Sequence, residues 1–85
     1  ERTREYLAPV VGRYGDRIVC EVKNKLQEGR EVELLHPGRA PVRFVAHDLR
    51  GEDGAPVSAA AEPGRRFTMP APGEAGAGDY LRADI

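Results

Sequence analysis

Arg17-Ile18-Val19-Cys20-Glu21-Val22-Lys23 carries the clearest structural signal in the chain. Ile18, Cys20 and Val22 fall on one side of an extended chain, and Arg17, Glu21 and Lys23 on the other, with Val19 the exception. That is the period of a half-buried β-strand, not of a helix. Before it, Tyr6 to Gly12 is apolar and runs into Arg13-Tyr14-Gly15-Asp16, a turn signal. So short a turn between two extended segments predicts a hairpin.

The same reading extends along the chain. Glu31 to Leu35 alternates, with Val32 and Leu34 facing one way and Glu31 and Glu33 the other. His36-Pro37-Gly38 stops it, because proline lacks an amide donor and glycine tolerates positive φ. Pro41 to Leu49 is predicted as a strand, with Val42, Phe44 and Ala46 on one face and Arg43, Val45 and His47 on the other. Arg50-Gly51-Glu52-Asp53-Gly54 holds the strongest turn signal, and Asp53-Gly54 suits a type I′ pair. Val57 to Ala61 is a short candidate strand. Arg65 to Met69 alternates Arg65, Phe67 and Met69 against Arg66 and Thr68. Pro70 to Gly78 reads as a loop, and Asp79 to Arg82 as a last extended segment. Helical periodicity is confined to one turn's worth of chain, Asn24 to Arg30. The expected fold class is all-β: a small closed or partly open β-barrel of about six or seven strands.

Length bounds the rest. The chain has 85 residues, so residues 1–85 are expected to form one domain. A domain this small has a small core and no room for a cofactor fold of its own. Net charge is −1, with 11 Arg and 2 Lys against 14 acidic residues, a balance too even to demand a nucleic-acid partner. One Cys excludes an internal disulfide and a cysteine-based zinc site. No apolar run reaches the roughly 18 residues of a membrane span, so no membrane partner is expected. Cysteine usage and the lack of a signal-peptide pattern fit the cytoplasm. The chain opens Glu1-Arg2-Thr3-Arg4 rather than on Met, which reads as a piece of a longer protein.

Catalysis needs a nucleophile or base held by a second group. Ser58 lies in an alanine-rich stretch without nucleophile-elbow context, and His47 beside Asp48 would point to opposite faces of a strand. Cys20 reads as a small core hydrophobe. His36 and His47 do not supply a zinc ligand set. Gly73, Gly76 and Gly78 match no phosphate-loop pattern. The expectation is no catalytic residue, no metal and no cofactor. Small barrels bind single strands through a basic groove with exposed aromatics. Arg13, Arg17, Lys23, Lys25 and Arg43, near Tyr14, are therefore the candidate nucleic-acid or substrate contacts, set against Glu21, Glu31 and Glu33 on the same surface.

Four stretches together resemble the C-terminal domain of the peptidase U32, or collagenase-like protease, family. They are Arg4-Glu5-Tyr6 leading to Val10-Val11-Gly12, and Cys20 to Leu26 followed by Gly29, Glu31-Val32-Glu33-Leu34 and Pro37-Gly38. The third is Asp53-Gly54-Ala55-Pro56-Val57 with Ala61-Glu62-Pro63, and the last Asp79-Tyr80-Leu81-Arg82. Gly29-Arg30 stands where the family usually has Gly-Asp. The resemblance implies a compact β-barrel appended to a larger catalytic domain, carrying no catalytic motif itself. Its implied role is to position a macromolecular substrate or pack on the catalytic domain. The alternative is an RNA-binding accessory domain, since similar bacterial proteins act in tRNA or ribosomal RNA hydroxylation. The implied partners are the parent's catalytic domain, a protein or RNA substrate, and a second copy of the parent.

Overall fold

The computed structural model describes residues 3–84. Their regular structure is β1 (Arg4–Tyr14), β2 (Arg17–Glu21), β3 (Leu26–Gln27), β4 (Glu31–Leu35), β5 (Val42–Val45), β6 (Ala59–Ala60), β7 (Arg66–Pro70) and β8 (Tyr80–Asp84). Six strands form an antiparallel sheet in the order β5-β4-β8-β1-β2-β7, curled into a half-barrel. β3 and β6 make a small second sheet. The fold is all-β, as the alternation predicts.

β1 organises the curl. Its first half pairs with β8 and its second half with β2, with register shifts between Tyr6 and Ala8 and between Val10 and Gly12. Each shift is an extra residue that bends the strand and deepens its twist. The first lets Leu7 and Ala8 both point inward, at 0% and 1% exposure. It also frees the Leu7 carbonyl, which accepts from the Lys23 and Asn24 amides at 2.9 and 3.1 Å. Pro9 lies between the two shifts, where a strand tolerates a residue without N–H. The β1–β2 hairpin closes at Tyr14↔Arg17 with Gly15 at φ +62°, the first central position a type II′ turn reserves for glycine.

Ile18, Cys20 and Val22 are all buried, as are Val32 and Leu34, Phe67 and Met69, and Leu81 and Ala83. The inward faces inferred from alternation in β2 and β4 are those observed. Beyond β5 the chain crosses the open side of the half-barrel. Ala46 and Leu49 are buried on the way, and Arg50 exchanges two backbone hydrogen bonds with Thr68 of β7 at 3.0 and 2.9 Å. One edge of the sheet is thereby covered, which limits pairing with other chains.

Several expectations are corrected. Asn24 to Arg30 holds β3 and a reverse turn rather than a helical turn, because Leu26 is drawn into the core and Gln27 pairs with Ala59. The strand expected over Pro41 to Leu49 stops at Val45. Asp48 takes φ +52° and turns the chain toward β7. Asp53-Gly54 does not form a type I′ turn, since only Gly54 has positive φ. Gly54 instead donates its amide to Gly51 O at 3.0 Å, and Asp53 Oδ1 accepts from the Ala55 amide at 3.0 Å. Arg65 does not share the buried side with Phe67 and Met69; it is exposed and pairs with Glu52 and Glu62.

Candidate functional site

The five cations singled out in the sequence do not converge. Arg13 stands opposite Ile18 at the rim of the concave side, and its guanidinium donates to Gly15 O, Gly73 O and Ala75 O at 2.9–3.0 Å. It fastens the 72–78 loop to the hairpin. Arg17 is the most engaged. It donates to Asp48 Oδ2 at 2.7 Å, Asp48 O at 2.5 Å, Thr68 Oγ1 at 3.1 Å and Thr68 O at 3.1 Å. Its planar fork bridges β7 and the crossing segment. Lys23 pairs with Glu21 at 2.9 Å. Arg43 pairs with Glu31 at 3.2 Å and Glu33 at 3.3 Å. Lys25 is exposed between β2 and β3 and has no such partner among the described residues.

Cross-strand pairing explains this. Arg82 of β8 and Arg43 of β5 both stand opposite Glu33 of β4, so one carboxylate lies between two guanidinium groups. Arg82 Nε donates to Glu33 Oε1 at 2.9 Å. That hydrogen bond first, then the surrounding Arg charges, hold the Glu33 carboxyl below the usual range against some desolvation. Asp48 is likewise held below the usual range, chiefly by its hydrogen bond from Arg17. A depressed carboxylate pKa stabilises the fold above the unfolded-state value, and that contribution disappears as pH falls through the folded value. Arg17→Ala is therefore expected to raise the Asp48 midpoint in an NMR titration of its carboxyl carbon. The stability gap between wild type and variant should narrow in acid. An unchanged midpoint would show that Arg17 is not what holds Asp48 ionised.

Two groups of ordinary catalytic interest are held otherwise. Burial pushes the Cys20 thiol up to about 12. Since the thiolate is the reactive form, Cys20 should resist a disulfide reagent at pH 8 in the native protein and react fully once unfolded. Fast native labelling would contradict its place in the core. His36 Nδ1 lies 2.5 Å from Oδ1 of Asp79, the buried charged residue among those described, at 2% exposure. The second Asp79 oxygen accepts from the Gly76 amide at 3.0 Å. The pair sits in a shallow groove with Leu34, Arg39, Val42 and Pro72. No group of three or more potential metal ligands occurs among the described residues, and no helix there is long and apolar enough to cross a membrane.

The alternation signal missed the feature on the convex side. Tyr6 and Tyr80 lie side by side there, ring centroids 5.4 Å apart. Tyr80 was recognisable as outward from its buried neighbour Leu81. Its meeting with Tyr6 depends on β1 pairing with β8 across most of the chain.

The sequence matches the profile of the peptidase family U32 C-terminal domain over residues 2–82. The chain belongs to that family. Its fold is also that of two crystal structures of the C-terminal domain of a "putative U32 peptidase" from Geobacillus thermoleovorans. The selenomethionine variant superposes with a TM-score of 0.84 at 21% identity, covering 92% of this chain and 98% of that one. The other gives 0.84 at 19% identity, covering 95% and 92%. No curated protein matches. At these identities the structural likeness establishes the shared fold of the U32 C-terminal domain and nothing finer.

Proposed function

We propose that this U32 domain is a non-catalytic accessory module that packs on the catalytic part of its parent and helps hold a macromolecular substrate in place. The observation that carries the reading is the state of the surface charges. Arg13, Arg17, Lys23 and Arg43 are each engaged within the domain. Of the five candidate cations Lys25 alone is left unmatched among the described residues, and so sparse a set of free cations suits a protein contact better than a polyphosphate. Cys20 and Asp79 are buried and committed to the fold, which further favours a structural role.

Deleting the domain from the parent protein tests this. The truncated parent should melt several degrees lower and turn over its macromolecular substrate less well, with small model substrates less affected. The isolated domain should bind neither gelatin nor tRNA tightly at low or high salt. An unaltered truncated parent, or gelatin cleavage by the domain alone, would overturn the reading. Tight tRNA binding that weakens steeply with salt would favour the RNA-binding alternative.

A further inference from the structure

The convex face of the sheet carries an apolar patch that the fold itself does not cover. Tyr80 stands between Pro9 of β1 and Leu35 of β4 in the ladder. Directly paired residues share a face, so these three form a row across adjacent strands. Tyr6 lies on the diagonal, its ring against that of Tyr80 with the planes tilted by 52°. Tyr6 and Tyr80 remain 43% and 36% exposed. The cations beside the patch are already matched: Arg82 to Glu33 at 2.9 Å and Arg4 to Asp84 at 3.5 Å. An aromatic, charge-poor centre inside a rim of satisfied ions has the make-up of a protein–protein contact.

We propose that the occupant of this face is the preceding, catalytic portion of the same polypeptide, docked over Tyr6, Pro9, Leu35 and Tyr80. The inference rests on the accessory-domain reading and names its contact surface. The family is defined as a C-terminal domain, so in the parent the incoming chain enters at the start of β1. β1 begins at Arg4, two positions before Tyr6. The strand that is tethered thus also carries half of the patch. Covalent linkage makes docking an intramolecular event, at an effective concentration set by the linker. A contact of a few residues then suffices, where a free partner would need a larger one. The complementary surface is apolar, with acceptors for the two phenol hydroxyls.

Hydroxyl-radical footprinting of the complete parent, read at single tyrosines, tests the docking. Tyr14, at the hairpin tip and 80% exposed, is the internal reference. Undocked, Tyr6 and Tyr80 should be modified about half as fast as Tyr14, in line with exposures of 43% and 36%. Docked, they should fall to about a tenth of the Tyr14 rate or less, because the centre of a contact excludes water. The double variant Tyr6→Ser, Tyr80→Ser should leave the β circular-dichroism spectrum intact and release the protection of the facing surface of the parent. Rates near half that of Tyr14 overturn the proposal. Protection of Tyr14 or of Val42 and Val45 instead overturns this surface while leaving the accessory reading in place. No protection anywhere overturns both. Protection that fades on dilution assigns the face to a second copy, and protection that appears only with added tRNA assigns it to nucleic acid; either result overturns the proposal.

Discussion

Leu81→Ala is expected to lower the unfolding free energy by about 2–5 kcal/mol. Leu81 is fully buried on β8, between Ala8 of β1 and Leu34 of β4. It therefore sits in the middle of the strand order rather than at an edge. Two of its neighbours in the core, Ala8 and Ala83, are too small to swing into the vacated volume, and Leu34 is held in the ladder of β4 beside it. The deletion costs the lost transfer energy and most of the cavity term together. A domain of this size loses roughly 4–8 °C of melting temperature per kcal/mol, so the transition should drop by about 8–40 °C. Leu81→Met keeps the volume and should cost less than about 1.5 kcal/mol. With no Trp in the chain, far-UV circular dichroism during urea unfolding is the suitable probe. A loss below about 1 kcal/mol for the alanine variant would mean that the half-barrel does not close over β8 as described.

Asp79→Ala should cost about 1–3 kcal/mol. Its carboxylate is buried, and both oxygens are used, one by His36 and one by the Gly76 amide. Removing it leaves the Gly76 N–H without its acceptor and unfastens the 72–79 loop from the end of β4. His36→Ala removes the other half of the pair and leaves a buried carboxylate with one donor. Its cost should be smaller, because the His36 side chain is 41% exposed and water can replace it. Residues in one network do not add, so the double variant should cost less than the sum of the two. Hydrogen exchange gives the local readout: the Gly76 amide should exchange faster in Asp79→Ala while the β4 amides change little. Additive losses, or a protected Gly76 amide in Asp79→Ala, would show that the pair does not anchor the loop.

What was legible in the sequence follows from range. β4 is bounded locally, by Gly29 before it and Pro37-Gly38 after it, and its four alternating residues need no partner to be read; it falls where expected. β2 begins where expected at Arg17 but ends at Glu21 rather than Lys23. β5 is misjudged because Ala46 and Leu49 continue the apolar alternation and are indeed buried, although the chain has already left the sheet. The turn there depends on Asp48 adopting positive φ, which its Arg17 contacts hold in place and no local pattern announces. β3 and β6 are two residues each, too short for any period. The site was harder for the same reason. Whether an arginine is available to a ligand depends on which carboxylate or carbonyl the fold brings to it. Arg17 finds Asp48 31 residues away, Arg82 finds Glu33 49 away, and Arg13 finds Gly73 60 away. Residue type alone made Arg13 and Arg17 look available.

On the reading proposed above, this U32 domain is held in a fixed place on the rest of its parent. Small-angle X-ray scattering from the complete parent protein addresses it most directly. One compact particle is expected, with a single-peaked distance distribution and a bell-shaped Kratky plot. A two-peaked distribution with a raised high-angle plateau, the signature of separate bodies on a loose linker, would contradict it.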